Sequence, residues 1–141
     1  MALLFVAPYA KADGNGWDHG YYWVLWHYGG TDSIGLGNAG SYTMTWANVV
    51  DVIGGKGWNP GGYRTVNYNC AALHNDNVLG VYGWTTSPLI EYYIVEGGNA
   101  GGGTYVGALT SDGHQYIVYK RQMVNQLTVL GTQTYWRYIS Q

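Results

Sequence analysis

The sequence is poor in charged side chains. Asp, Glu, Lys and Arg make up only 10% of its 141 residues, whereas an ordinary soluble domain has about a quarter. A net charge of −2 provides no positively charged stripe for a phosphate backbone, which argues against a nucleic-acid partner.

The sequence also lacks the signals of disulfides, metal sites and membrane spans. Cys70 is the only cysteine, so no intrachain disulfide or thiolate metal site is possible, and we expect a small buried side chain there. No apolar run reaches transmembrane length, which argues against a membrane partner. We expect neither a metal nor a cofactor, because metal-ligand spacing is absent among His19, His27, His74 and His114.

The apolar N-terminal segment has two interpretations. It has a short hydrophobic run and an A-x-A-like end at 10–12, as in a signal peptide, but no basic region precedes the run. We predict a first strand over residues 3–9, with Pro8 restricting it to an edge or an end. Residues 1–12 are then an extra strand or the remnant of a leader, and 1–141 is one domain.

Glycine and polar aromatic rings are abundant. The sequence contains 15 Tyr and 7 Trp against 1 Phe, so rings that carry a polar group are preferred over plain hydrophobes. Such rings suit wet, apolar-faced surfaces, and stacking on sugars is a common use of them. The 23 glycines separate short alternating runs, which predicts an all-β fold.

Period-two alternation predicts strands at 21–28, 41–49, 63–69, 78–85, 89–95, 105–110, 115–120 and 132–139. The glycines and Pro60 of GGKGWNPGG, residues 54–62, predict an irregular connection, and residues 122–131 a loop. Asp112 and Gly113 predict a tight hairpin. We expect no helix and no internal repeat.

The strand at 89–95 carries the most informative pattern. Because side chains alternate across a strand, Leu89, Glu91, Tyr93 and Val95 share one face. A carboxylate on an aromatic-lined strand predicts a sugar-binding cleft. Two simpler interpretations stay open: Glu91 is a buried acid held by tyrosine hydroxyls, and the aromatic rings are ordinary strand residues.

Several motifs resemble one family. GKGWNPG at 55–61, RTVNYN at 64–69, VYGWTTSPLIEYYIVE at 81–96, GALTSDGHQYIVY at 107–119 and GTQT at 131–134 are similar, in order and spacing, to glycoside hydrolase family 11. Members are jelly-roll endo-β-1,4-xylanases. The resemblance, from about residue 20 onward, implies two packed, twisted antiparallel sheets, incomplete at the C-terminus here, whose concave cleft holds xylan outside the cell.

That resemblance implies roles for individual residues. Glu91 matches the nucleophile of a retaining mechanism, and Asp51 matches the position beside the family's acid/base. Tyr82 and Tyr93 match the tyrosines that flank the nucleophile. Tyr22 and Trp84 match aromatic residues of the cleft, and Trp26 matches the ring that stacks on a distal xylose. A retaining glycosidase needs two carboxyl groups roughly 5 Å apart, one to attack the anomeric carbon and one to protonate the leaving oxygen.

The resemblance also implies differences. The family's acid/base glutamate lies in a strand that would follow Gln141, so we expect the acid/base to be absent from this sequence. Glu96 lies five positions after Glu91 and is expected on the opposite strand face. Met123 stands where the family has an arginine, and Arg137, which we expect to bind substrate, replaces a cleft glutamine.

Two functions of different classes follow, and the sequence leaves enzymatic activity open. The first is retaining hydrolysis of β-1,4-xylan, as the resemblance implies. The second is a non-catalytic module that binds a β-glycan or self-assembles. Strands missing from a jelly roll leave sheet edges unpaired, which predicts either filling by the apolar residues 2–9 or association into homo-oligomers or fibres.

Overall fold

The computed structural model describes residues 14–71 and 77–141, and the backbone of Ala2 and Leu3. In chain order the strands are β1 (Ala2–Leu3), β2 (Gly14–Asp18), β3 (Tyr21–Tyr28), β4 (Thr31–Leu36), β5 (Tyr42–Ala47), β6 (Asp51–Gly57), β7 (Leu79–Thr86), β8 (Leu89–Gly97), β9 (Thr104–Ser111), β10 (His114–Thr128) and β11 (Gly131–Ser140). None of these residues lies in a helix, and no membrane-spanning helix occurs among them. The predicted all-β fold is confirmed.

The described strands form three hydrogen-bonded sheets. The largest runs from edge to edge in the order β1, β7, β8, β11, β10 and β9, the second contains β2, β3 and β6, and the third pairs β4 with β5. Most neighbours are antiparallel, but β1 runs parallel to β7 and β11 runs parallel to β8. For β8 and β11 the reason is topological: the hairpin of β9 and β10 lies between them in the sequence.

The hydrophobic core joins the three-stranded sheet to the six-stranded sheet. Its buried side chains come from β3, β7, β11 and the turn before β11, and they are Tyr22, Val24, Tyr82, Trp84, Val129 and Tyr135. Ile53, Leu89, Tyr93 and Met123 pack against them. Removing a large apolar side chain from water is worth about 1.5–3 kcal/mol, so this cluster holds the two sheets face to face.

Strand β6 corrects the sequence interpretation of the glycine-rich stretch. It pairs with β3 along its whole length, with Gly57 opposite Tyr22 at one end and Asp51 opposite Tyr28 at the other. The irregular connection therefore begins only at Trp58. Glycine is needed here for packing, since a Cβ on Gly54 would lie 2.6 Å from the Met44 sulfur. The missing side chain allows β5 to approach β6.

Lys56 fixes β6 against the rest of the three-stranded sheet. Its side chain is buried, and Nζ donates to Asp18 Oδ2 at 2.5 Å and to the carbonyls of Gly37 and Ala39, each at 2.8 Å. The three ammonium hydrogens therefore have three acceptors, which compensates the loss of hydration. Lys56, and the His19 beside Asp18, hold the pKa of the Asp18 carboxyl below its usual value.

The prediction of a strand at 63–69 is wrong: residues 58–71 contain no strand. The Tyr63 side chain is fully exposed, so the alternation of this segment does not correspond to a packed face, and strand preference depends on such packing. Cys70 in the same segment is exposed, and the prediction that it is buried is wrong.

Strand β10 is longer than the sequence predicts. It continues through the predicted loop at 122–131 as far as Thr128, and its register with β11 shifts between Met123 and Gln126. Asn125 takes a positive φ of 51° there, which accommodates the irregularity. The predicted hairpin at Asp112 and Gly113 is confirmed, with φ values of 51° and 78°.

The N-terminal strand is described only at its beginning. Ala2 and Leu3 pair in parallel with Val81 and Tyr82 of β7, which places β1 at an edge of the largest sheet. Residues 4–9 of the predicted strand lie outside the described residues, as does His74.

A large-to-small change in β11 tests the position of this strand inside the largest sheet. Ile139 is 2% exposed, so we expect Ile139→Ala to lower the free energy of unfolding by roughly 2–5 kcal/mol. Val50 is 76% exposed, and Val50→Ala should change it by less than about 0.5 kcal/mol. Denaturant titration followed by tryptophan fluorescence measures both; similar losses would contradict the fold.

Candidate active site

Glu91 lies in the middle of β8 with its side chain buried at 2% exposure. The predicted face is confirmed by the hydroxyl of Tyr93, two residues along, which donates to Glu91 Oε1. Glu96 is on the other face, where it accepts a hydrogen bond from the Tyr116 hydroxyl. The two glutamates of the chain therefore serve opposite sides of the sheet.

Four donors surround the carboxylate of Glu91. Oε1 accepts from the hydroxyls of Tyr82 at 2.9 Å and Tyr93 at 3.1 Å. Oε2 accepts from the hydroxyl of Tyr135 at 3.0 Å and from Nε of Arg137 at 2.5 Å. An ionised carboxylate has about four acceptor positions, so its hydrogen-bonding capacity is filled and its buried charge is paired.

The strand register explains why these donors converge. Glu91 is directly opposite Trp84 of β7 and Arg137 of β11, and side chains across a ladder share a face. Tyr135 precedes Arg137 by two residues and so has the same direction. The indole N–H of Trp84 donates to the Tyr82 hydroxyl at 2.9 Å, which leaves that hydroxyl's own hydrogen for Glu91.

Burial keeps the tyrosine donors neutral. It raises the pKa of Tyr82 and of Tyr93 well above the ordinary value, and the negative charge of Glu91 raises both further. The same two causes raise the pKa of Tyr135 to about 12. These hydroxyls therefore stay protonated, and stay hydrogen-bond donors, throughout the neutral range.

Arg137 is the cation of the site. Burial alone would lower the pKa of its guanidinium, but Tyr93 and the bonded Glu91 outweigh burial and raise it. The guanidinium also lies over the Tyr93 ring, 5.3 Å from its centre. We expected Arg137 to bind substrate; in the structure its Nε binds the carboxylate of Glu91.

Asp51 begins β6, on the sheet that faces β8. Its side chain is accessible to solvent, yet partial burial raises the pKa of its carboxyl. The Val52 backbone N–H and the charge of Arg137 oppose this shift, whereas the charge of Glu91 adds to it. The charge of Glu91 on the largest sheet therefore acts on the carboxyl of Asp51 on the facing sheet.

The predicted cleft aromatics occupy different depths. Tyr22 and Trp84 are almost fully buried in the core cluster, whereas Trp26 is half-buried on β3 opposite Ile53. Sequence reasoning missed Trp17, which is 61% exposed and meets the Tyr22 ring edge-on at 5.5 Å. It also missed Tyr135, although the period of the last strand places it beside Arg137.

Residues 18–141 match the profile of glycosyl hydrolases family 11. The chain belongs to this family, which confirms the resemblance and the β-jelly roll. No cluster of three metal-ligating side chains occurs in the part of the chain that the structure describes.

Curated relatives are fungal proteins with xylanase names. The chain is 45% identical over 138 residues to "Ethylene-inducing xylanase" of Hypocrea rufa, 44% over 129 residues to "Ethylene-inducing xylanase 1" of Botryotinia fuckeliana and 44% over 133 residues to "Endo-1,4-beta-xylanase B" of Penicillium oxalicum. These alignments include 90%, 86% and 89% of this chain. The chain spans 60%, 45% and 43% of the relatives' own lengths.

The ion pair can be tested by a double-mutant cycle. Arg137→Gln leaves the buried carboxylate of Glu91 without its cation, and we expect a loss of about 3 kcal/mol in the free energy of unfolding. Adding Glu91→Gln removes the stranded charge, so the two changes should be non-additive by more than about 1 kcal/mol. Arg64→Gln, at an exposed arginine, is the control; additive effects of the first two changes would contradict the pairing.

The raised tyrosine pKa values predict instability in alkali. Because the pKa of Tyr135 is about 12 in the folded protein and 10.0 without its environment, the folded state binds more protons above pH 10. Stability is therefore complete below pH 10 and falls as the pH rises toward 12. Tyr135→Phe should make the free energy of unfolding fall less steeply between pH 10 and 12, whereas Tyr105→Phe, at an exposed ring, should leave the slope unchanged. Unfolding titrations at several pH values measure these slopes, and equal slopes for the two variants would contradict the prediction.

Proposed function

We propose that this chain carries the nucleophile half of a retaining endo-β-1,4-xylanase acting on xylan outside the cell, with Glu91 as the nucleophile. The observation that carries the proposal is the buried carboxylate of Glu91, which is held and oriented by three tyrosine hydroxyls and Arg137. Membership of the family and the xylanase names of the relatives support the same substrate.

The two carboxylate oxygens of Glu91 have different roles in this mechanism. Oε2 is fixed by the charged Arg137 and by Tyr135, so it anchors the side chain. Oε1 has only neutral donors, of which Tyr93 is the more distant at 3.1 Å. We assign attack on the anomeric carbon to Oε1, because neutral donors withdraw less negative charge from it than a guanidinium does.

The attack forms a glycosyl ester and breaks the bond to the leaving oxygen, which needs a proton from a second carboxyl group. Among the described residues, Asp51 is the carboxyl whose raised pKa responds to the charge of Glu91. We place Asp51 beside this proton transfer. Water then releases the sugar from Glu91 with the anomeric configuration retained.

Aromatic rings bind the glycan on either side of the nucleophile. Tyr22 and Trp84 are buried and form the floor of the cleft, while the half-buried ring of Trp26 is available to stack on a sugar. Tyr82 and Tyr93 support the nucleophile from the same floor, and Arg137 limits its movement. Such rings combine an apolar face with hydrogen-bonding edges, which matches the surface of a pyranose.

A second candidate is β-glycan binding without turnover. The observation that favours it is the ion pair of Arg137 with Glu91, since a carboxylate with every acceptor position filled must lose a hydrogen bond before it attacks. A protein that keeps these bonds would hold the glycan against the aromatic floor and leave it intact.

Self-association is a further part of the binding alternative. Strand β9 lies at an edge of the largest sheet, and its Tyr105, Val106 and Leu109 are 62%, 48% and 47% exposed. An edge with apolar side chains pairs readily with another chain, so homo-oligomers or fibres are expected at high concentration. Sedimentation of one species at monomer mass over a wide concentration range would contradict this.

Release of reducing ends from soluble xylan, at acid and neutral pH, distinguishes the two functions. The wild-type chain should release them only slowly, because the acid/base is expected to be absent from this sequence and general acid catalysis typically supplies about 10²–10⁴-fold. Glu91→Gln should lower even this slow rate by at least about 100-fold, because the nucleophile is gone. Glu91→Gln should still bind xylan, since the aromatic floor is intact. Binding without release in both proteins would reject hydrolysis by this chain and support the second candidate.

A further inference from the structure

A groove lies on the face of the largest sheet that points away from Glu91. Its aromatic wall is Trp136 of β11, which is directly opposite Ile90 of β8 and Gln122 of β10. Arg137 and Glu91 are the next residues along β11 and β8, and they are on the other face because side chains alternate along a strand. A molecule held beside Trp136 is therefore separated from the cleft by the sheet itself.

The groove combines an open aromatic ring with polar side chains. It has a volume of about 520 Å³, which is within the range of small-ligand sites. Trp136 is 40% exposed, and Lys120 Nζ lies 5.0 Å from the centre of its ring. The other lining residues are Gly102, Gly103, Thr104, Arg121 and Gln122. An indole bordered by hydroxyl, amide and ammonium groups suits a ligand that has an apolar face and polar edges.

Glycines form the second wall and keep the groove open. A Cβ on Gly103 would lie 2.4 Å from the carbonyl oxygen of Lys120, so only glycine lets this loop approach β10 so closely. A Cβ on Gly102 would meet no described atom within 4 Å. The side-chain amide of Gln141 holds the loop in place by donating to the Gly101 carbonyl at 2.8 Å. This wall is therefore a fixed stretch of backbone without side chains.

The charges around the groove favour a neutral ligand. Arg121 borders the groove, but it is directly opposite Arg137, so its guanidinium is on the cleft face. The ammonium of Lys120 already interacts with the Trp136 ring. None of the described residues that line the groove is acidic. A sugar, which offers hydroxyls and an apolar ring face but no charge, matches this lining.

We propose that this groove is a second binding site for a neutral β-1,4-linked xylan chain, separate from the cleft. The indole of Trp136 packs against one sugar ring, and the Gln122 amide, the Thr104 hydroxyl and the Lys120 ammonium hydrogen-bond to its hydroxyls. The proposal rests on the proposed function for the identity of the glycan, and the groove takes no part in hydrolysis. Two sites on one protein molecule raise its effective concentration on a polymer.

Nuclear magnetic resonance of the whole chain distinguishes the groove from the cleft. Glu91→Gln is the background, so that the oligosaccharide is not cleaved, and Trp136→Phe identifies the indole N–H signal of Trp136. Xylohexaose should shift this signal and, with a different concentration dependence, the indole signal of Trp26 in the cleft. The shift at Trp136 should persist at high salt, because a neutral ligand is not screened.

A Trp136 signal that does not move, or that moves only at low salt, would overturn the inference. Movement of the Trp26 signal alone would overturn the inference and leave the proposed function standing. Movement of neither signal would overturn both.

Matched substitutions test the groove on the polymer. Trp136→Ala should lower the affinity for insoluble xylan about five-fold, whereas Trp46→Ala, at a tryptophan that is 36% exposed on β5, should leave it unchanged. Gly102→Phe should fill the groove and lower the affinity by a similar factor, whereas Gly62→Phe, at an exposed loop glycine, should not. An unchanged response of the Trp26 signal to xylohexaose controls for the fold and the cleft. Equal affinities within either pair would overturn the inference.

Discussion

The contact on which the cleft depends is the ion pair between Arg137 and Glu91. A carboxylate at 2% exposure is costly unless its charge is paired and its oxygens accept hydrogen bonds. Arg137 supplies the charge, and three hydroxyls fill the remaining positions. The same contact orients the carboxylate. The two proposed functions, hydrolysis and binding without turnover, therefore differ in whether Oε1 can lose a hydrogen-bond donor.

The parallel pairing of β8 with β11 makes this contact possible. The β9 and β10 hairpin is inserted between these strands in the sequence, and the chain returns to place Arg137 opposite Glu91. The antiparallel partner β7 contributes Tyr82 and Trp84 from the other side. Strand β6, which starts at Asp51 and is fixed by buried Lys56, belongs to the facing sheet. Strands that are distant in the sequence thus bring the charges of Glu91 and Arg137 close enough to affect the pKa of Asp51.

Local alternation was sufficient to predict the all-β class, strand β3, the β9 and β10 hairpin and the shared face of Glu91 and Tyr93. It failed at β6, where glycines allow Met44 to pack closely and do not break the strand. It failed again at 63–69, where an alternating run has no packed face, and at β10, where an irregular register hides a continuous strand. The pairing of Arg137 with Glu91 depends on register across a parallel ladder, which no local pattern contains.

The most direct test of Glu91 as nucleophile is covalent labelling. A 2-fluoro xylobioside with an activated leaving group needs no protonation, so it should form a stable glycosyl ester that depends on the nucleophile and not on the acid. Peptide mass spectrometry should find one disaccharide on Glu91 in the wild-type chain and none in Glu91→Gln. A folded wild-type chain that binds xylan but stays unlabelled, or a label on another residue, would contradict the account.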